Sequence, residues 1–461
     1  MSTQPSAPGL VPAAERRREQ RSWYFYDWAN SAFVTTTATV LFGPYLTDVA
    51  TNAACPGLAE GAKCTTNLSV VGIPVSPGSV AAYTVTFATI VSALLLPLVG
   101  AVADRSPRKK TLMARFAWVG SAAAAAMYFV TGTNWSLGVA LMVVASLCLG
   151  CSLVIYDAIL CEIATEDERD GVSSRGWAFG YLGGALLLAV NLGLVVFAED
   201  IGLSTGTAVR ISFLSAGLWW AGFTWIPYLG LRDRAPIEVA EVRTAGLVGA
   251  AFGQLWQTLR DLRNYPQTFT FLVAYLFFND GIQTVITQAS TYGSQELGLE
   301  DQQLIVTILV VQFVAFGGAL AFGRIAARLG SRRTILGGLA LWCVVVAIGY
   351  FLPDRNLSLF LSLAVLIGLV LGGTQALSRS LYSLLVPRGR EAEYFSLYQA
   401  AERGTSWFGA LLFGVVQQVT DSYRPAILAL VVFFVVGGVL LSRVDVAGGI
   451  RAAGNEVPSV V

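Results

Sequence analysis

Long unbroken apolar runs, separated by short polar breaks, set the pattern of this chain. Each run is about 20 residues or more, enough to cross a bilayer as a helix. In lipid only helices and closed barrels satisfy the backbone, and barrel strands alternate where these runs do not. The breaks predict helices near 22–47, 79–103, 111–132, 137–162, 175–198 and 208–231. A second set follows near 265–292, 302–327, 333–352, 358–383, 393–418 and 424–443. The expected fold is an all-α membrane protein of twelve transmembrane helices in two pseudo-symmetric six-helix bundles. The expected domains are a disordered basic arm at 1–21, bundles at 22–231 and 265–443, and a disordered tail at 444–461. Between the bundles lies a linker at 232–264, whose Leu255, Trp256, Leu259 and Leu262 alternate with Gln254, Arg260, Asp261 and Arg263 as in a surface-lying amphipathic helix.

The two halves repeat. Gly100-Ala-Val-Ala-Asp-Arg-Ser-Pro-Arg-Lys-Lys110 returns 223 positions later as Gly323-Arg-Ile-Ala-Ala-Arg-Leu-Gly-Ser-Arg-Arg333, with Asp104 replaced by Ala327. Asn30-Ser-Ala matches Asn279-Asp-Gly at an offset of 249, and the long 49–78 loop accounts for the change. In the first copy Gly100 allows close helix approach, Asp104 can tether a neighbouring helix end, and Arg105 and Arg108 join it in bracing the bundles.

Composition agrees with the pattern. Residues are 55% hydrophobic and 13% charged, against roughly 25% charged in a soluble domain, and the mean hydropathy is +0.63. A net charge of +1 gives no case for nucleic acid. Only Lys63, Arg210, Arg355 and Arg424 fall on the side opposite the 100–110 loop, so the positive-inside rule places both termini in the cytoplasm of a plasma-membrane protein. Cys55 and Cys64 share the 49–78 loop, where a disulfide is open either way. The absence of His removes His-based metal sites, bases and relays together. No metal or cofactor is expected.

An ionisable group at bilayer depth is expensive and therefore a candidate for function. The cavity candidates are Asp27, Trp28 and Asn30 in the first run, and Tyr156 and Asp157 in the fourth. Asn279, Asp280 and Gln283 lie in the seventh, Gln375 and Arg379 in the tenth, and Tyr398, Gln399, Glu402 and Arg403 in the eleventh. Asp157 and Arg379 hold matching places at an offset of 222 and have opposite charge. They can close a gate by pairing; the alternative is that each pairs within its own half, Arg379 with Glu402. Asp27 and Asn30 are one turn apart on one face, with Arg21 a local alternative partner for Asp27. Asp280 is some 15 residues into its run, about 22 Å, and suits coupling or substrate binding. Arg403 suits a substrate carboxylate.

Repeats with polar groups from both halves at the midplane suit a secondary transporter. Two other classes compete. An intramembrane aspartyl protease would need a Gly-x-Gly-Asp, which is missing, as is any Walker-type loop. A receptor or scaffold would show no flux in vesicles.

The 100–110 loop resembles the signature loop of the major facilitator superfamily, with Pro107 in place of its second glycine. Tyr26-Asp-Trp-Ala-Asn-Ser-Ala-Phe33, Val172-Ser-Ser-Arg-Gly-Trp-Ala-Phe-Gly-Tyr-Leu-Gly-Gly184, Phe278-Asn-Asp-Gly-Ile282, Gln375-Ala-Leu-Ser-Arg-Ser380 and Glu393-Tyr-Phe-Ser-Leu-Tyr398 are similar to the branch holding the autophagy-related vacuolar amino-acid effluxers. The resemblance implies the major facilitator fold, alternating access, export of amino acids and no enzymatic activity. The expected partners are a small-molecule substrate, protons and the bilayer, for a chain acting as a monomer.

Overall fold

A computed structural model describes residues 12–57, 64–70, 72–236, 253, 256–404 and 406–461. The chain starts in α1 (Ala13–Ala32), continues through a π-helical stretch (Phe33–Leu41) and ends its first crossing as α2 (Phe42–Ala54). A hairpin of Leu68–Val70 and Ile73–Val75 follows, beside the Cys55–Cys64 disulfide, which is formed. Then come α3 (Val80–Arg105), α4 (Lys109–Ala126), α5 (Trp135–Ile163), α6 (Arg169–Val196) and α7 (Thr205–Gly230). The second half holds α8 (Pro266–Gln295), α9 (Asp301–Leu329), α10 (Ser331–Tyr350) and α11 (Leu357–Leu385). It continues with α12 (Glu391–Gly404), α13 (Ser406–Thr420), α14 (Tyr423–Ala429) and α15 (Val431–Ser442), and α16 (Val446–Ala452) follows.

Among the described residues nine helices are long and apolar enough to cross a membrane. The three other expected runs, 22–47, 208–231 and 393–418, are helical too, the last as α12 and α13 on either side of residue 405. Within the first half α1 packs on α6 and α7, and α4 on α5 and α7; within the second, α9 packs on α11 and α8 on α15. The halves meet where α6 crosses α9 and α11, and where α12 crosses α3 and α5.

Helical order reaches further than the sequence suggests at both ends. Residues 1–11 lie outside the described ones, but 13–21 of the expected arm belong to α1. Ala13 and Ala14 favour helix, and Arg16 pairs with Glu168 at 2.8 Å while Glu19 pairs with Arg234 at 2.7 Å. The Gly/Ala tail is ordered by burial of Val444, Val446 and Ile450 in the core and by hydrogen bonds. Asp445 caps α16 through Gly448, Asn455 donates to the carbonyls of Leu384 and Val386, and Ser459 donates to Asp167. Most of the 232–264 linker, Leu255 included, lies outside the described residues. Residues 256–261 are helical, with Trp256 and Leu259 exposed and Leu262 buried.

Both ends and the 100–110 loop share one end of the molecule, called here the basic face. The Arg16–Glu168 clamp there is pH-sensitive. Burial pushes Glu168 up, but the Arg16 bond outweighs it and holds the carboxyl below the usual glutamate range. Such a depressed group stabilises above its unfolded value, about 4.3, and the contribution is lost as pH falls through the folded value. Lower amide protection factors at 13–20, with exchange corrected for its intrinsic pH dependence, are therefore expected once pH drops below about 4; protection factors unchanged by pH there would refute the clamp.

Candidate functional site

Arg379 sits on the most enclosed part of α11, where every residue from Val370 to Leu385 is buried. Its guanidinium reaches across to the first half. One nitrogen lies 3.1 Å from Asp27 Oδ2 and 3.1 Å from the Ser173 carbonyl; another lies 3.3 Å from Asp157 Oδ1; Nε donates to Ser173 Oγ at 3.0 Å. Trp23 and Asp27 come from one face of α1, four residues apart, and Ser173 and Trp177 from one face of α6. The rings of Trp23, Tyr156 and Trp177 lie 4.9, 5.3 and 5.3 Å from the guanidinium carbon. This aromatic cage suits a cation desolvated by burial. Tyr156 also donates to Asp27 Oδ2 at 2.8 Å.

Only glycine fits beside this pair. A Cβ at Gly176 would lie 2.8 Å from Asp27 Oδ2 and 2.9 Å from Arg379 Nη2. Gly176→Ala is expected to force the pair apart and cut transport about tenfold, at the lower end of an overpacking cost of 1–3 kcal/mol. Full activity in vesicles would show that the pair tolerates displacement.

From Asp157 the network continues along α12. Gln399 Nε2 donates to Asp157 Oδ2 at 2.8 Å and to Glu402 Oε2 at 3.3 Å, and Arg403 Nε donates to Gln399 Oε1 at 3.3 Å. Asn279 donates to the Glu402 carbonyl, and Gln375 donates to Asn279 at 2.8 Å. Asp27, Asp157 and Arg379 are buried, whereas Glu402 and Arg403 are half-exposed. Three carboxylates face two guanidiniums, a formal excess of one negative charge.

A second set of bonds closes the basic face. Asp104 of α3 accepts from the amides of Ala392 and Glu393 at 2.9 Å each, capping the first turn of α12 in the other half. Lys109 lies 3.5 Å from Asp104 and 2.8 Å from Glu162. Where the second repeat has Ala327, the first half supplies the contact instead: Asp170 accepts from Ser331 at 2.6 Å and Ser380 at 2.5 Å. Arg169 donates to the Ser383 carbonyl at 2.7 Å. Among the described residues, the hydrogen bonds between halves run from the Arg379 level to the basic face, with Gln312 to Thr35 the exception beyond it.

A family model described as "Vacuole effluxer Atg22 like" matches residues 15–454. The chain belongs to the Atg22-like family. It is 29% identical over 445 residues to an uncharacterised MFS-type transporter, YxiO, of Bacillus subtilis, covering 96% of this chain and 98% of that one. It is 26% identical to autophagy-related protein 22-1 of Phaeosphaeria nodorum, covering 97% and 93%. Among solved structures, the proton:xylose symporter XylE aligns with a TM-score of 0.67 at 10% identity, covering 94% and 96%. A bacterial homologue of the iron transporter ferroportin, in an outward-facing state, aligns at 0.64 and 15% identity, covering 93% and 98%. The fold of this Atg22-like chain is the major facilitator fold, and its relatives are membrane transporters rather than enzymes.

In this Atg22-like transporter the residues expected in the cavity separate into two groups. Asp27, Tyr156, Asp157, Asn279, Gln375, Arg379, Gln399, Glu402 and Arg403 form the connected network described above. Asp280 stays outside it: one carboxylate oxygen accepts from Gly409 at 2.8 Å, at the start of α13, and the other has no partner among the described residues. Asn30 turns back to the Tyr26 carbonyl of its own helix at 2.6 Å. Trp28 stacks on Trp219, within the first half. Tyr398 stacks between Tyr275 and Tyr382. Gln283 is half-buried, with no side-chain hydrogen bond among the described residues.

At the basic face Gly100 and Asp104 touch the other half as expected. Arg105 does not: it donates to the Ala101 carbonyl of its own helix. Arg108 is exposed, with its backbone amide donating to Ser106 and its carbonyl accepting from Leu112, and no side-chain hydrogen bond or ion pair among the described residues. Both side chains sit on the solvent side of α3's end, and Lys109, buried one residue on, holds Asp104 and Glu162 within the first half while Asp104 makes the contact to the second. Sequence reasoning missed Trp23, Ser173 and Gly176 as partners of Arg379. The only signal for them was spacing: Trp23 lies four residues before Asp27, and Ser173 and Gly176 lie within the Val172–Gly184 block.

Proposed function

We propose that this transporter exports a small organic solute of the amino-acid class by alternating access. The single observation behind the reading is Arg379, buried in one half and held by two carboxylates of the other. Rocking the halves apart at the basic face must break those bonds, so they mark the step between states. With the basic face cytoplasmic, as its cations suggest, the structure corresponds to a state closed towards the cytoplasm. Residence in a plasma membrane with both termini inside belongs to the same reading. Glu402 and Arg403, half-exposed and of opposite charge, suit the ammonium and carboxylate of a zwitterion. Proton coupling is part of the proposal, carried by Asp27, Asp157 or Glu402 in the excess-carboxylate cluster.

The test is flux of labelled amino acids in proteoliposomes with an imposed pH gradient. Gradient-dependent flux is expected, lost in Asp157→Asn and retained in Asp280→Asn, whose carboxylate caps α13. Flux indifferent to Asp157→Asn but abolished by Asp280→Asn would move coupling to Asp280. No flux of any zwitterion would remove the amino-acid reading.

A further inference from the structure

A cavity of about 700 Å³ opens on the basic face between the halves, away from the Arg379 network. Its walls come from α1, from the start of α6, from α9 and from the tail at Pro458–Val460. Four guanidiniums line it: Arg17, Arg21 and Arg175 from the first half and Arg324 from the second. All four residues are exposed. The carboxylates in the same walls are already engaged. Glu166 pairs with Arg169 and Arg388, Glu168 with Arg16, Asp170 with Ser331 and Ser380, and Asp167 accepts from Ser459. Arg17, Arg21 and Arg324 have no ion pair among the described residues. Glu166 and Glu168 are neutralised by arginines behind the wall, which leaves four guanidiniums against the charges of Asp167 and Asp170, so the cavity presents excess positive charge.

Depth narrows the ligand. Arg324 lies within the span Gln302–Leu329, five residues from its end, about 7.5 Å along the axis. Arg21 lies at the start of the first apolar run. These are headgroup depths, and basic pockets between helices at that level hold phosphate-bearing headgroups.

We infer that this cleft binds a phosphate-bearing anion, by bridging Arg17, Arg21 and Arg175 of one half to Arg324 of the other. Occupancy then favours the arrangement with the basic face closed, because opening would draw Arg324 away from its partners. The chemistry is shared by an anionic lipid headgroup and by free phosphate.

The experiment measures thermal protection of the purified full chain in neutral detergent. Phosphatidylglycerol is titrated in one arm and inorganic phosphate in the other. Protection by phosphatidylglycerol alone assigns the lipid; protection by both assigns the free anion as well. In either case Arg21→Gln with Arg324→Gln should weaken the apparent affinity at least about tenfold. Arg18→Gln, exposed on the same helix but outside the cavity, should leave it unchanged. Circular dichroism checks that both variants fold. The inference is overturned if neither anion protects, if the double variant is protected like the parent, or if Arg18→Gln loses as much.

Discussion

Replacing Arg379 with alanine is expected to abolish transport and to destabilise the closed basic face by about 3–5 kcal/mol. The magnitude is that of removing one partner from a buried ion pair, which leaves the other charge uncompensated. Here two carboxylates, Asp27 and Asp157, lose their counter-charge at once, and Ser173 loses a donor to both its hydroxyl and its carbonyl. Arg379→Lys should rescue little. One ammonium cannot reproduce the fork that spans four acceptor atoms or the planar contact with Trp23, Tyr156 and Trp177. Flux in proteoliposomes and thermal denaturation of the same preparations check the two halves of this expectation. A lysine variant with full flux would show that charge alone matters.

The second large effect is expected from Gly100→Leu. A Cβ at position 100 would lie 2.5 Å from the Ala392 carbonyl oxygen and 2.8 Å from Glu393 Cα. Both are backbone atoms at the start of α12, so no side chain can swing aside. The leucine must push α12 away from α3, which also pulls the Ala392 and Glu393 amides off Asp104. Overpacking of this kind costs about 1–3 kcal/mol, equivalent to a roughly 5- to 150-fold loss of the closed population. Transport should fall with it, and a cysteine placed at the basic face should label faster. Unchanged labelling would mean that the α3–α12 crossing is not needed for closure.

These effects rest on features of unequal visibility in the sequence. The two-bundle fold was legible because unbroken apolar runs have few physical readings and because the loop at 100–110 repeats. The Asp157–Arg379 relation was legible from the repeat offset and their opposite charge, and Asp104 from its place beside a glycine. The remainder was hidden for one main reason. A helix that is apolar all round shows how deep a polar residue lies but not which way it points. Asp280 lies deep, yet faces α13 rather than the other half; Asn30 shares a turn with Asp27, yet bonds its own backbone. The same limit conceals Trp23 and Gly176, which act by shape beside Arg379 rather than by charge. The tail escaped notice because Val444, Val446 and Ile450 are too few to read as an apolar run, although all three are buried, and because Asn455 and Ser459 meet groups far away in the chain.

In the proposed cycle Arg379 is the bond between halves that must break for access to change. Spin labels on the face opposite the basic one, at Asp200 in the first half and Phe351 in the second, both exposed, read that change as a distance. A long distance is expected in the parent and a shift of population to shorter distances in Arg379→Ala, as the basic face opens and the opposite face closes. The same distance distribution in both proteins, with the variant still transporting, would contradict this role of Arg379.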